Sequence, residues 1–172
     1  MPDLLERFSS FEGYSLYPDV LPFFRSLGDS TTDLHRHKQN TTIGVLTNSD
    51  DRVPRILSSL GLQVGSRRYG EPLHDQQKNP YRNHDIDFVA LSYDVGFSKP
   101  DPRIFDATKK MAQKAVGQDL RCIHIGDDLE KDYYAAQAAG WQSVLLDRKD
   151  EHIDPALSRV VELSDLSQYL AV

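Results

Sequence analysis

Four short runs of apolar residues divide the chain, and polar residues follow each of them. The runs are Thr42–Leu46, Phe88–Tyr93, Cys122–Ile125 and Ser143–Leu146. They are rich in β-branched or aromatic side chains and lack strict alternation, which is typical of strands that are covered on both faces of a parallel sheet. We therefore predict four core strands.

Helical periodicity fills the segments around these runs. The predicted helices are Pro18–Leu27, Val53–Leu60, Pro102–Ala112 and Tyr133–Ala139, and a brief strand at Val160–Val161 and a short helix over Leu166–Leu170 follow them. Pro102 at a helix start, with Gly61 and Gly140 at helix ends, is the expected start and stop chemistry. Alternating strands and helices predict an α/β fold, an open parallel sheet with helices on both faces and right-handed crossovers.

Two polar stretches, residues 28–41 and 63–86, interrupt this alternation. Both contain few residues that could pack, so we predict surface insertions with little more than a turn or a short helix inside them. The length of 172 residues suits one domain. We predict no second domain and no internal repeat.

Composition narrows the function classes. The chain is acidic, with a net charge of −6 and a pI of about 5.4. It therefore lacks the excess of basic residues that is typical of nucleic-acid-binding proteins. No apolar run has the roughly 18 residues that a membrane span needs, and charged residues occupy the start, where a signal peptide would be apolar. The one cysteine, Cys122, cannot form an internal disulfide. We expect a protein of the cytoplasm or nucleus that is not secreted.

Candidate chemistry lies directly after three of the predicted strands. In an open α/β sheet these carboxyl ends form the ligand-binding edge. The candidates are Thr47 and Asn48 after the first run, Lys99 after the second, and Asp127, Asp128 and Asp132 after the third. A hydroxyl, backbone amides, a lysine and a group of carboxylates together suit a phosphate and a divalent cation.

Each group also has an ordinary structural interpretation. Thr47 and Asn48 can cap the next helix, Lys99 can be a solvated loop lysine, and the aspartates can be acids favoured at a helix start. The pair Asp85 and Asp87 precedes its strand, so we expect it at the opposite edge of the sheet from the candidate site.

The order of these groups along the chain separates two families. In response-regulator receivers the acidic pair comes first and the lysine last, which excludes them here. The order Thr47-Asn48, then Lys99-Pro100-Asp101-Pro102, then Gly126-Asp127 through Asp132 resembles the second, third and fourth motifs of the haloacid-dehalogenase superfamily of hydrolases. The resemblance covers nearly the whole chain apart from the two polar stretches.

The resemblance implies a role for each matching residue. The hydroxyl of Thr47 and the backbone N–H of Asn48 would bind phosphoryl oxygens, and Lys99 would stabilise the charge on nucleophile and phosphate. Asp127 would be a ligand of Mg²⁺, the implied cofactor, with Asp132 supporting the metal or Lys99 and Asp128 as a further candidate ligand. The implied activity is that of a phosphatase of small phosphorylated metabolites that acts through an aspartyl-phosphate.

The first motif of that family, Asp-x-Asp-x-Thr after an apolar strand, does not occur before Thr47. It supplies the aspartate nucleophile and follows the strand at the centre of the sheet, so we expect a truncated and inactive form without that strand and most of the cap. Residues 1–17 would be a cap remnant or linker and residues 18–172 the core. The alternative is a non-catalytic module for protein binding or regulation, with an unknown partner.

Overall fold

A computed structural model of the chain describes residues 2–28, 41–70, 84–116, 120–152 and 154–170. Most of the first polar stretch (residues 29–40) and part of the second (residues 71–83) therefore lie outside the described residues. The chain divides into two compact units, Met1–Gly96 and Phe97–Val172. Both are built from parallel strands and helices, so the predicted α/β fold is confirmed.

The first unit contains a three-stranded parallel sheet. Its elements are α1 (Pro2–Arg7), α2 (Val20–Gly28), β1 (Gly44–Thr47), α3 (Val53–Ser59), β2 (Val64–Arg68), β3 (Ile86–Leu91) and α4 (Ser92–Val95). The strand order is β1-β3-β2, with Thr47 opposite Leu91 in the register. Residues Phe88–Leu91 of the central strand β3 are buried, which explains why this part of the strand is continuously apolar.

The core of the first unit lies around β3. Ile86, Val89 and Leu91 of this strand pack with Leu62, and side chains of α2 and α3 cover them. Three of the covering residues are Val20, Phe24 and Leu57. Both helices thus pack apolar side chains on β3.

The second unit contains a second three-stranded parallel sheet. Its elements are α5 (Pro102–Val116), β4 (Ile123–Gly126), a π-helix (Leu129–Tyr134), α6 (Ala135–Ala138), β5 (Gln142–Leu146), β6 (Arg159–Val160), a 3₁₀ helix (Leu163–Leu166) and α7 (Ser167–Leu170). The order is β4-β5-β6. Ile104 and Phe105 of α5 and Leu145 of β5 have no exposed surface and form the centre of this core.

The structure differs from the sequence prediction in the second polar stretch. Part of this stretch is not an insertion, because Val64–Arg68 form β2 and pair with β3. The described strands form two sheets, in which β1 has β3 as its one described neighbour and β4 has β5. Among the described residues, no helix has the length and apolar character to cross a membrane.

Candidate functional site

In the first unit, Thr47 ends β1 and is half-buried, and Asn48 follows it at the surface. The carbonyl oxygen of Ser49 accepts hydrogen bonds from the Ser92 hydroxyl and from the Tyr93 N–H, both at 3.3 Å. These bonds tie the loop after β1 to α4. Thr47 and Asn48 do not cap the next helix, because Arg52 is the N-cap residue of α3.

In the second unit, Lys99 forms a buried ion pair with Asp132. The Nζ atom lies 2.5 Å from Asp132 Oδ1, and the two side chains are 11% and 6% exposed. The interpretation of Lys99 as a solvated loop lysine is therefore wrong. Burial of both charges is favourable only where each charge has a partner of this kind.

The loop that carries Lys99 is held on both sides. The Arg103 guanidinium lies 3.7 Å from the centre of the Phe97 ring. Its Nε and Nη2 atoms also donate to Asp101 Oδ1 and Oδ2 at 2.9 and 2.5 Å, and the Arg103 backbone N–H donates to Oδ1 at 2.9 Å. Hydrogen bonds from Arg103 lower the Asp101 pKa to about 2. The start of α5 thereby fixes the chain immediately after Lys99.

Asp132 accepts hydrogen bonds from three donors. Besides Lys99, His124 Nε2 lies 2.8 Å from Oδ1, and the Asp128 N–H donates to Oδ2 at 3.1 Å. Burial raises the pKa of this carboxyl, but the hydrogen bonds from His124 and Lys99 outweigh that effect and hold its pKa well below the usual range. Asp132 is therefore an ionised acceptor whose oxygens are all engaged within the protein.

Local backbone structure makes room for Asp132. It lies in the π-helix, where the Tyr133 N–H bonds back to the Asp128 carbonyl five residues earlier at 3.2 Å. A side chain on Gly126 would overlap the Asp132 carboxyl group. Glycine at the end of β4 is thus required because the carboxylate packs directly on the backbone there.

His124 belongs to this cluster although its sequence pattern predicts only a packed strand residue. It is buried, and its ring contacts Phe105 and Trp141 edge-on, with centroids at 5.4 and 6.5 Å. His124 and Gly126 are two residues apart on one strand and share a face, but this spacing does not separate a histidine that packs from one that donates.

Asp128 and Asp127 differ in their contacts. Asp128 is the N-cap of the π-helix, and its carboxylate accepts from the backbone N–H groups of Glu130 and Lys131 at 3.1 and 2.8 Å and from Lys131 Nζ at 2.8 Å. Asp127 is exposed at the end of β4, and within the described residues its side chain makes no hydrogen bond or ion pair. Of the three candidate aspartates, Asp127 offers its carboxylate to a ligand most openly.

The donor chemistry fits a magnesium ion at Asp127. Mg²⁺ prefers hard oxygen ligands and is usually held by one or two carboxylates, several waters and substrate phosphates instead of a full protein cage. No group of three or more potential ligands occurs in the part of the chain that the structure describes. One free aspartate agrees with a shared site of this kind.

Asp85 and Asp87 lie at the amino end of their sheet, as predicted. The Asp85 carboxylate accepts from the Gln63 N–H and the Asp87 carboxylate from the Ile43 N–H, both at 2.8 Å. They satisfy backbone donors where β1 and β2 begin. These bonds are structural.

The sequence is similar to those of known proteins. Residues 2–140 match the family model described as haloacid dehalogenase-like hydrolase. An uncharacterised hydrolase of Schizosaccharomyces pombe is 31% identical over 150 residues, which cover 86% of this chain and 54% of the relative. The haloacid dehalogenase-like hydrolase domain-containing protein 3 of Mus musculus is 32% identical over 141 residues, covering 75% of this chain and 47% of the relative.

Solved structures show the same fold. A HAD phosphatase from Thermococcus onnurineus aligns with a TM-score of 0.66 at 23% identity, over 98% of this chain and 63% of that chain. A HAD-hydrolase from Bacillus subtilis bound to magnesium aligns with a TM-score of 0.54 at 17% identity, over 81% of this chain and 55% of that chain. The chain spans about half the length of the curated relatives that it matches.

Proposed function

The chain belongs to the haloacid dehalogenase-like hydrolase family, and from this premise we propose that it carries the phosphate-binding groups of a Mg²⁺-dependent phosphatase of small phosphorylated metabolites. The observation that carries the proposal is the buried pair of Lys99 and Asp132 at 2.5 Å. An ammonium group held by Asp132, whose carboxylate packs on Gly126 at the carboxyl end of β4, suits the stabilisation of a phosphoryl group. The phosphatase named above supports the same reaction class.

The resemblance of the sequence motifs suggests a role for each residue. In the first unit, the Thr47 hydroxyl and the Asn48 N–H would bind phosphoryl oxygens. In the second unit, the Lys99 ammonium would neutralise phosphoryl charge, and Asp132 holds Lys99 as an ionised partner at hydrogen-bond distance. Asp127 would hold Mg²⁺, which supplies further charge neutralisation for the phosphoryl group.

The nucleophile is not among these residues. An aspartyl-phosphate needs a carboxylate that attacks the phosphoryl group, and no Asp-x-Asp-x-Thr motif precedes Thr47 in the 172 residues. Asp85 and Asp87 cannot replace it, because their carboxylates are bonded to backbone amides at the amino end of the sheet. We therefore propose that the 172-residue chain binds phosphate without turning over phosphomonoesters.

A phosphomonoester assay with Mg²⁺ tests the inactivity of the chain. The purified chain and its Asp127→Asn variant are incubated with 4-nitrophenyl phosphate, and product is followed by absorbance. We expect both rates to equal the protein-free background. Turnover by the wild-type chain that the Asp127→Asn variant loses would contradict the proposal, because it would show a complete site.

Exposed aromatic residues favour a second candidate, a protein-binding module. Phe8, Phe11 and Tyr17 are 50%, 62% and 60% exposed within one short N-terminal segment. Large apolar side chains that face solvent together are typical of interaction surfaces. Analytical ultracentrifugation tests the second candidate. Self-association that is lost in a Phe8→Ser/Phe11→Ser variant favours the protein-binding module. A chain that is monomeric at all concentrations shows that these aromatic residues do not bind a second copy of the chain.

A further inference from the structure

His124 is held in one orientation by its surroundings. It lies on β4 with only 8% of its surface exposed. Phe105 contacts the ring edge-on at 5.4 Å, Trp141 does so at 6.5 Å, and these two aromatic rings contact each other at 5.5 Å. Rings in edge-to-face contact at these separations attract each other and restrict rotation. The imidazole therefore has a fixed direction for its nitrogen atoms.

The hydrogen bond between His124 and Asp132 has a defined direction. An ionised carboxylate has acceptors only, so the hydrogen between His124 Nε2 and Asp132 Oδ1 belongs to the histidine. The neutral ring is then the Nε2–H tautomer. The same oxygen, Oδ1, also accepts from Lys99 Nζ, so the imidazole and the ammonium group meet at one atom.

These contacts leave Asp132 without rotational freedom. Oδ1 is fixed by His124 and Lys99, and Oδ2 by the Asp128 N–H at 3.1 Å. Without the imidazole donor, Oδ1 would keep the flexible lysine as its one side-chain partner. The long, flexible side chain of Lys99 cannot by itself fix the orientation of the Asp132 carboxylate. In the proposed role it is the carboxylate that holds the lysine.

We propose that His124 is a positioning residue that acts through Asp132 to hold the Lys99 ammonium group in place. The inference deepens the proposed function, and it rests on that function only where Lys99 is said to meet a phosphoryl oxygen. The position of the ammonium group can be measured without any substrate. His124 needs no contact with a ligand for this role.

Two substitutions of His124 distinguish its hydrogen-bond donor from its aromatic ring. His124→Gln places an amide N–H near the former Nε2 atom and removes the aromatic contacts. His124→Phe keeps an aromatic ring beside Phe105 and Trp141 and removes the donor. A purely structural role predicts that Phe is the better replacement, whereas the positioning role predicts that Gln is.

Nitrogen NMR of the 172-residue chain gives the readout. In the wild-type chain the ¹⁵N shifts of His124 should show a hydrogen on Nε2. The Lys99 ammonium signal, assigned by its loss in Lys99→Arg, should be visible because exchange with water is slow for a buried, hydrogen-bonded group. We expect that signal to persist in His124→Gln and to disappear in His124→Phe.

Three results would overturn the inference. They are a His124 Nε2 without a hydrogen in the wild-type chain, a Lys99 signal that persists in His124→Phe, and a signal that His124→Gln loses while its spectrum remains that of a folded protein. A wild-type Nε2 without a hydrogen would overturn the inference even if a variant fails to fold. Titration with inorganic phosphate is recorded in parallel: absence of binding would contradict the proposed function and leave these readouts unaffected.

Discussion

Lys99 and Asp132 stabilise each other at the scale of single residues. In the wild-type chain the Lys99 side chain is only 11% exposed. Truncation of Asp132 to alanine would remove the carboxylate that its ammonium group contacts at 2.5 Å. Removal of one member of a buried ion pair typically costs about 3–5 kcal/mol. We predict a loss of that size in the free energy of unfolding of Asp132→Ala, measured by urea denaturation.

Asp127→Ala is the matched control for that experiment. Asp127 is exposed and bonds to no described side chain or backbone group, so its truncation should change the free energy of unfolding by no more than about 0.5 kcal/mol. Similar values for the two variants would contradict the assignment of Asp132 as a buried structural anion.

Asp147 makes the stability of the second unit depend on pH. It follows β5, and its carboxylate accepts from the backbone N–H groups of His152 and Glu151 at 2.8 and 3.2 Å. Burial raises the pKa of Asp147, and these bonds outweigh it, so the net shift is downward. A folded pKa below the unfolded value of about 3.9 means that Asp147 stabilises the fold above that pH and loses its contribution as the pH falls further.

We predict that Asp147→Asn reduces the decline in stability during acidification. Urea denaturation of the wild-type chain and the variant between pH 5 and pH 3 measures this difference. Asp106→Asn, at an exposed position of α5, should decline as the wild type does. A decline in Asp147→Asn as steep as that of the wild type would show that Asp147 is not the titrating group.

Single residues of the site were predictable to different degrees. The chain order of Thr47, Lys99 and Asp127 is a one-dimensional signal, and it sufficed to predict the candidate groups. The hydrogen bonds of His124 were not predictable, because a histidine inside an apolar strand has the same sequence pattern whether it packs or donates. Its partner, Asp132, lies eight residues further along the chain, within a π-helix that sequence periodicity does not predict.

At the scale of elements, the π-helix depends on its cap. Asp128 accepts from the Glu130 and Lys131 N–H groups, which have no acceptor inside the helix. Loss of a capping side chain costs about 1 kcal/mol. We predict that Asp128→Ala lowers the free energy of unfolding by about that amount, measured by urea denaturation.

Asp128→Asn tests whether Asp128 acts as a cap or as a metal ligand. Asparagine is as good a cap as aspartate, so the free energy of unfolding of this variant should stay within about 0.5 kcal/mol of the wild type. Its Mg²⁺ affinity should also equal that of the wild type if Asp128 is only a cap. A Mg²⁺ affinity that falls in Asp128→Asn would restore Asp128 as a ligand.

Strands and helices were mostly predictable, and β2 shows why some were not. The core strands and the main helices follow the apolar runs and periodic faces, with ends shifted by a few residues. Strand β2 has the sequence Val-Gly-Ser-Arg-Arg, which contains one apolar side chain that β-propensity would favour. Its stability comes from tertiary contacts, such as the Arg67 guanidinium over the Phe88 ring at 5.8 Å and the paired hydrogen bonds from Arg68 to Asp94.

At the scale of the whole molecule, the chain consists of two units with a three-stranded sheet each. The candidate groups are divided between them: Thr47 and Asn48 belong to the first unit, and Lys99, Asp127 and Asp132 to the second. Sequence patterns predicted the class of fold and five of the six described strands, whereas β2 and the order of the strands cannot be derived from apolar runs alone. The family resemblance supplied the roles of the groups, which periodicity could not.

Binding of inorganic phosphate by the 172-residue chain depends on Lys99 if the proposed function is right. Calorimetric titration with inorganic phosphate in the presence of Mg²⁺ compares the wild type with Lys99→Ala, and with Lys110→Ala at an exposed position of α5 as the control. We expect saturable binding by the wild type and by Lys110→Ala and its loss in Lys99→Ala. Equal binding by all three proteins, or none by the wild type, would contradict the proposed role of Lys99 in phosphate binding.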